Sequence, residues 1–280
     1  MLATLMVEIG TTGWPWRASG IAIGTALAAE ADGAHVVWFA DRIALPVTAE
    51  EWARAAGPLL PLVPDPDDVA DPVVTAAAAL LVTRDARVGI LGWQPGDDAA
   101  RAARTLASLA DLAPDRAVVA LEGAAPVLQA VAAALGPAPI ELAVLGGPPD
   151  VAAALGWGWI AAAVPADELA KAAGDAGVTG PVGVHLPVLV HDDPEIARRA
   201  LHSPVLAPLL DAVPADGMVV GGPDRLAAVI DEYVERGVDR IVVDDLLAFG
   251  APDAFEAGRN AVRAGTRTAR LRHRPLGTTS

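Results

Sequence analysis

Short apolar segments alternate with longer alanine-rich segments of helical period along most of the chain. The short segments are rich in valine, isoleucine and leucine, as buried parallel strands are, and the longer ones are typical of helices that cover a sheet. Eight strands are predicted, at Ala3–Ile9, His35–Phe39, Arg87–Leu91, Ala117–Leu121, Glu141–Leu145, Trp159–Ala163, Val182–Val190 and Arg240–Val243. The pattern therefore indicates an α/β protein made of strand–helix repeats.

Helices are predicted between these strands and after the last one. They lie near Ile21–Ala31, Pro72–Thr83, Asp98–Leu112, Ala125–Leu135, Asp150–Leu155, Asp167–Ala176, Pro194–Leu201, Pro223–Arg236 and Pro252–Ala264. Eight repeats in a chain of 280 residues fit a single (β/α)8 TIM-type barrel domain over residues 1–265. Prolines and acids interrupt the repeat at 46–71 and 203–217, which are expected to be insertions, and 266–280 is expected to be a flexible basic tail.

Charge and composition exclude several classes of partner. The chain has 20 Lys+Arg against 35 Asp+Glu, a net charge of −15, so nucleic acid and anionic membrane surfaces are not expected partners. Cysteine is absent, which excludes disulfides and thiolate chemistry, and no apolar run is long enough for a membrane helix. We expect a cytoplasmic protein that acts on a small molecule.

Candidate catalytic residues follow from the barrel prediction, because the residues just after the strands form the active-site face. Glu8 is a carboxylate within an apolar first strand, and it is interpreted either as an acid/base or cofactor contact or as a structural partner of Arg17 or Arg42. Glu122 follows the fourth strand and is interpreted as a general acid or as a hydrogen-bond anchor for the next loop. Asp41 and Arg42 follow the second strand, where they contact the pocket or pair with each other.

Two glycine turns and one histidine complete the candidates. Gly146-Gly147 and Gly221-Gly222 each precede a helix, whose first N–H groups are able to hold a phosphate. His191 follows the seventh strand beside two aspartates, and it is interpreted as a proton-transfer residue or as a solvated loop residue that caps the next helix. His185, within that strand, is interpreted as a core residue. No cluster of His, Asp and Glu has metal-ligand spacing, so no metal site is predicted.

Five segments, in order along residues 20–245, resemble the bacterial luciferase-like monooxygenase superfamily, which includes deazaflavin (coenzyme F420)-dependent reductases. The similar segments are Leu27–Arg42, with AE-x-x-G and VW-x-x-DR; Asp71–Gly92, with DP and T-x-x-x-R-V-x-I-LG; Thr105–Arg116; Leu155–Ile160; and Val220–Val243. The resemblance implies a TIM-type barrel, a flavin or deazaflavin across its C-terminal mouth, hydride or flavin–oxygen chemistry, and a homodimer.

The chain departs from the family pattern at three places. Arg42 stands where the family has a histidine, Glu122 stands in a segment that is glycine-rich in the family, and Trp93 replaces small residues that flank the ring. The resemblance makes Glu122 a candidate proton donor, while Trp93 either stacks on the ring or fills its place. The hypothesis is an oxidoreductase that uses coenzyme F420, with FMN as second choice, on a small organic substrate. The alternative is a non-catalytic barrel that serves as a subunit or binds a small molecule.

Overall fold

A computed structural model of the chain describes residues 8–13, 21–40, 70–203, 217–247 and 254–273, together with Leu206 and Val213. The strands of this part are β1 (Glu8–Gly13), β2 (Val36–Ala40), β3 (Arg87–Trp93), β4 (Ala117–Leu121), β5 (Glu141–Leu145), β6 (Gly158–Ala162), β7 (Val182–Val190), β8 (Val219–Gly221) and β9 (Arg240–Asp245). The helices are α1 (Ile21–Ala31), α2 (Pro72–Val82), α3 (Ala99–Leu112), α4 (Ala125–Leu135), α5 (Pro149–Leu155), α6 (Ala166–Ala176), α7 (Pro194–Leu201), α8 (Pro223–Glu235) and α9 (Phe255–Arg272).

Eight of these strands close into a parallel barrel. Each of β1 to β7 pairs with the next, β9 pairs with β7, and β9 also pairs with β1, which joins the ends of the sheet. All of these pairings are parallel, as expected when every strand is followed by a helix that returns the chain to the same end. The predicted single α/β barrel is therefore confirmed.

The short strand β8 is an addition that the sequence pattern does not predict. Val188 of β7 pairs with both Val219 of β8 and Asp245 of β9, so β8 and β9 lie on opposite edges of β7. β6 pairs with Val182–His185 in the first half of β7, and β8 pairs with the same edge of β7 further along, at Val188–Val190. Gly221, expected in a turn, is the last residue of this strand.

Apolar side chains fill both faces of the barrel wall. The outer faces of the strands pack under the helices, while a separate inner cluster includes Val36, Trp38, Leu91, Ala120, Ile160 and Val242. Trp38 is completely buried and extends across the inside of the barrel beside Gly10 and Gly89. A Cβ on Gly89 would lie 2.2 Å from Cε3 of Trp38, so the indole requires glycine at that position.

Side-chain caps start three of the helices, and the last helix is longer than predicted. Asp71, Asp98 and Asp193 accept backbone N–H groups in the first turns of α2, α3 and α7. Helix α9 extends to Arg272, so the prediction of a flexible tail from residue 266 was wrong for 266–272: Thr266 and Ala269 are buried against the barrel. Within the described residues, no helix has the length and apolar character needed to cross a membrane.

Candidate functional site

Three polar side chains face the inside of the barrel: Glu122 and Asp244 at the carboxyl ends of their strands, and His185 within β7, where it pairs with the last residue of β6. Alternation along the strands places Glu122 on the same side as Val118 and Ala120, His185 on the same side as Gly183, and Asp244 on the same side as Val242. β4 and β9 are four strands apart in the closed barrel, so Glu122 and Asp244 come from opposite walls. These residues form the polar part of the candidate site.

His185 and Asp244 are joined by a hydrogen bond. Nε2 of His185 lies 3.0 Å from Oδ2 of Asp244, and the two side chains are 23% and 27% exposed, so solvent reaches the pair. Because a carboxylate only accepts, the bond places a proton on Nε2 and leaves Nδ1 as the acceptor nitrogen of the neutral ring. The interpretation of His185 as a core residue was therefore wrong: it faces the mouth.

Glu122 has its position fixed by the neighbouring strand. Its N–H donates to the carbonyl of Trp93 at 3.0 Å, which continues the β3–β4 pairing one residue beyond β4. Its Oε2 lies 3.8 Å from where a Cβ on Gly92 would be, so glycine leaves room for the carboxylate. Glu122 is half-buried at the mouth, as a general acid in this fold would be.

Trp93 lies on the other face of the wall. Gly92 has φ +76°, and the β3–β4 register shifts between Leu91 and Trp93, so Trp93 pairs with the outward-facing Leu121. Its side chain packs against the core between barrel and helices. This placement is at odds with the prediction that Trp93 stacks on a ring in the mouth or fills its place.

His191 is buried and adjoins the second glycine turn. Its backbone N–H donates to the carbonyl of Gly221 at 3.0 Å, and its Nδ1 accepts the N–H of Asp193 at 2.9 Å. The ring therefore holds the backbone of Asp193, whose side chain is the N-cap of α7, so His191 is neither solvated nor the cap itself. Gly222 is the N-cap of α8, so no side chain of the N-cap residue accepts a hydrogen bond from the first turn of this helix.

The first glycine turn is built differently. Gly146 and Gly147 have φ +63° and +62°, values that favour glycine, and open space surrounds both. Helix α5 behind them has seven residues, begins with Pro149, and has its Val151 N–H bonded to the Asp150 carboxylate at 3.0 Å. A carboxylate already lies where a phosphate would bind, so this turn is the weaker of the two anion sites.

Glu8 lies at the opposite end of the barrel from the mouth, so its predicted placement there was wrong. The described strand begins at Glu8, which pairs with Arg240, the first residue of β9. Residues 10 to 13, beyond the predicted end of the first strand at Ile9, continue that strand. Glu8 is therefore in the first layer of the barrel interior, at the end where side chains usually serve stability.

Four charged side chains close that end of the barrel in a ring of ion pairs. Arg87 contacts Glu8 at 2.5 Å and Glu141 at 2.7 Å; Arg240 contacts Glu141 at 2.6 Å and also bonds to Glu8. The guanidinium of Arg240 lies 5.5 Å from the centroid of Trp38. Burial raises the pKa of Glu8, but Arg240 and Arg87 outweigh burial and lower that pKa below its ordinary value.

Asp41 and Arg42 lie outside the described residues, as do most of the predicted insertions at 46–71 and 203–217. The described strand β2 ends at Ala40, one residue before Asp41. Their contact with a cofactor therefore stays a prediction.

Comparisons with known proteins find the same fold in solved structures. No protein-family model matches the chain, and no curated protein matches it in sequence. Solved structures do match. Monooxygenase RslO1 from Streptomyces bottropensis is 18% identical with a TM-score of 0.69, covering 96% of this chain and 100% of that one.

Two further structures are of deazaflavin enzymes. An F420-dependent secondary alcohol dehydrogenase, solved with an F420–acetone adduct, is 16% identical with a TM-score of 0.64, covering 92% of this chain and 99% of that one. The F420-dependent tetrahydromethanopterin reductase from Methanopyrus kandleri is 14% identical with a TM-score of 0.61, covering 88% and 97%. The chain therefore has the barrel fold of F420-dependent oxidoreductases and monooxygenases, the class to which the sequence resemblance pointed.

Proposed function

We propose that the protein is an oxidoreductase that binds coenzyme F420 across the C-terminal mouth of the barrel and exchanges a hydride with a small organic substrate. The observation that carries the proposal is the inward-facing His185–Asp244 pair, which lies in the same mouth as Glu122. FMN, with oxygen chemistry, is the second choice of cofactor. The shared fold alone does not decide activity, so the argument rests on the site.

The residues present fit a planar, largely apolar ring. The inner cluster, which includes Leu91, Ala120 and Ile160, gives the mouth an apolar floor. On the wall, Ala162 is exposed although it faces inward next to His185, and Gly92 adds no side chain. Small wall residues above an apolar floor leave space for a ring, with polar groups only at its edge.

The polar residues divide the proton chemistry between them. A bound deazaflavin would supply the hydride, and the protein would supply position and protons. Asp244 holds His185 with its proton on Nε2, which makes Nδ1 available to take a proton from a substrate hydroxyl or return it. Glu122, on the opposite wall, is proposed to donate or accept the other proton of the reaction. His191 is proposed to hold the start of α7 beside the glycine turn that precedes α8.

The anionic arm of the cofactor is proposed to bind at the start of α8. Gly221 and Gly222 lead into a helix of thirteen residues whose dipole favours an anion at this end. Cβ and Cγ of Arg225 lie 3.6 Å from where a Cβ on Gly221 would be, so the side chain of an arginine starts beside the turn. Asp41 and Arg42 are kept as proposed ring or ribityl contacts. A net charge of −15 opposes an anion, and local groups of this kind offset it.

A homodimer is also proposed, and it is supported by an apolar helix face. Val74 and Leu81 on α2 are 67% and 70% exposed. Val82, the last residue of α2, and Leu27 of the adjoining helix α1 are also exposed. Positions 74 and 81 are seven residues apart, so they share one face of the helix. An exposed apolar face of this kind is typical of a surface that a protein partner covers.

Titration of the purified protein with oxidised F420, and separately with FMN, tests the proposal through fluorescence of the ring. A saturable change with F420 at one molecule per chain is expected. A response to FMN alone would make FMN, and not F420, the cofactor of the proposed enzyme. The absence of a saturable change with either would contradict the enzyme proposal and favour the non-catalytic barrel.

The Glu122→Gln variant tests the proposed proton transfer. It should lower turnover about 100-fold or more while F420 affinity changes less than about threefold, because the amide keeps the shape and loses the proton. The matched control is Glu195→Gln, at an exposed carboxylate on α7, which should change neither. Equal losses of turnover and affinity in Glu122→Gln would contradict the role.

A further inference from the structure

A second pocket lies outside the barrel, between α1, β9 and α9. Its charged lining consists of Asp32, Asp245, Arg259, Arg263 and Arg270, and two threonines, Thr25 and Thr266, also line it. Asp245 is next to Asp244 in β9, but it faces the opposite side of the wall, away from the mouth. The pocket is therefore separate from the proposed F420 site, and a ligand could bind in it whether or not F420 binds in the mouth.

Two buried polar atoms in the pocket lack a hydrogen-bond partner in the described part of the chain: Oδ2 of Asp245 and Nη1 of Arg270. Asp245 is 8% exposed, and its other oxygen accepts the N–H of Leu247 at 3.0 Å. Nη2 of Arg270 donates to the carbonyl of Asp32 at 3.0 Å. Oδ2 of Asp245 needs a hydrogen-bond donor, and Nη1 of Arg270 needs an acceptor. A buried polar atom without a hydrogen bond is costly to the stability of the fold.

The charges in the pocket favour an anion. Three arginines face two aspartates there, and one aspartate, Asp32, is already paired with Arg263 at 2.9 Å. Burial lowers the pKa of Arg259, and Arg263 lowers it further; burial also lowers the pKa of Arg270, with Arg267 adding to the effect. Burial and the neighbouring arginines disfavour both positive charges, so a bound anion would stabilise them.

We propose that this pocket binds a phosphate group that carries a proton, with its oxygens on Arg270 and Arg259 and its hydroxyl on Oδ2 of Asp245. A phosphate satisfies both partnerless atoms at once, since it accepts from guanidinium groups and donates from its P–OH. Sulfate has a similar size and charge but carries no proton at neutral pH. Asp245 therefore makes the site selective for phosphate over sulfate.

Calorimetric titration with inorganic phosphate and with sulfate, at pH 8 and equal ionic strength, tests the proposal. Phosphate should bind saturably at one site per chain, and sulfate at least about tenfold more weakly. Arg270→Gln should weaken phosphate binding about tenfold or more, while Arg267→Gln, which removes an exposed charge one turn away on α9 that does not line the pocket, should weaken it less than about threefold. Asp245→Asn should reduce the ratio of phosphate to sulfate affinity. The amide is able to donate as well as accept a hydrogen bond, so it does not require a proton on the ligand.

Ethyl phosphate, titrated in parallel, tests whether the proton on the ligand is needed. The second pKa of a phosphomonoester is about 6, so at pH 8 ethyl phosphate carries no P–OH. It should therefore bind about as weakly as sulfate, which would assign the site to the free phosphate ion, whereas binding as tight as that of inorganic phosphate would contradict the hydrogen bond to Asp245. The proposal is overturned if phosphate gives no saturable binding, or if Arg267→Gln weakens it as much as Arg270→Gln. Circular dichroism of each variant confirms that it is folded.

Discussion

Single residues in this barrel show their role through the side of the wall they face. The prediction for His185 was wrong because a strand buried on both faces is apolar throughout, so its sequence does not reveal which residues face inward. Glu8 was placed at the wrong end of the barrel because the first strand was predicted to end at Ile9, whereas it continues to Gly13. Glu122 was placed correctly, since its position after a clearly bounded strand does not depend on that choice. For residues within the strands, the register of pairing with neighbouring strands decides which side of the wall and which end of the barrel each side chain faces.

Removing one member of the charge ring is expected to destabilise the fold strongly. Arg240→Met leaves Glu8 and Glu141 with Arg87 alone, and breaking a buried ion pair costs about 3–5 kcal/mol. The control is Arg198→Met, which breaks an exposed pair with Glu195 and should cost less than about 1 kcal/mol. Urea unfolding at pH 7 measures both, and equal losses would contradict a stabilising ring.

The ring should also make stability depend on acid. The folded-state pKa of Glu8 lies below its ordinary value of 4.5, so the folded protein holds this proton less tightly than the unfolded chain. The resulting stabilisation is complete above the ordinary value and is lost as pH falls through the folded-state value. The ring thus belongs to the stability of the barrel and not to its chemistry.

Asp245 has the opposite dependence on pH. Burial raises its pKa from 3.8 to about 7, and Asp244 raises it further, against the N–H of Leu247 and Arg259. A folded-state pKa above the unfolded one means that stability falls as pH rises from about 4 to 7, by roughly 4 kcal/mol. In phosphate-free buffer, Asp245→Asn should therefore be more stable than the wild type above pH 7 and similar to it near pH 4. A difference that does not vary with pH in urea unfolding would be evidence against this.

Whole elements were predictable where an apolar segment has clear ends. β4, β5 and β7 have the predicted bounds. The reason is plainest for β4, whose five apolar residues lie between Arg116 and Glu122. β8 was missed, since three residues beside a Gly-Gly turn resemble a loop and are held as a strand only by their pairing with β7. α9 was cut short because its basic surface hides a buried side at Thr266 and Ala269.

The packing of Trp38 against β3 gives a prediction at this scale. Gly89→Ala places a Cβ 2.2 Å from the indole, and relieving such overpacking costs about 3 kcal/mol. Gly24→Ala is the control, because this glycine of α1 has open space around it and alanine favours a helix. Thermal unfolding should show a clear loss for the first and none for the second. A loss of similar size in both would mean that Trp38 is not the cause.

At the scale of the whole molecule, the proposed dimer follows from the apolar face on α2. Leu81→Glu puts a charge in the middle of that face and should convert the dimer to a monomer. Leu271→Glu, at a leucine of α9 that is 62% exposed, should leave the dimer intact. Light scattering after size exclusion measures the mass of each. A wild-type monomer, or a dimer that both variants retain, would contradict an interface on α2.

The most direct test of the central claim is a crystal structure of the protein with oxidised F420. The account predicts the deazaflavin ring in the C-terminal mouth, on the apolar floor, within contact distance of Glu122 and the His185–Asp244 pair, and its anionic arm at Gly221 and Gly222. Density for the ring elsewhere, or a mouth filled by side chains in the presence of saturating F420, would contradict it.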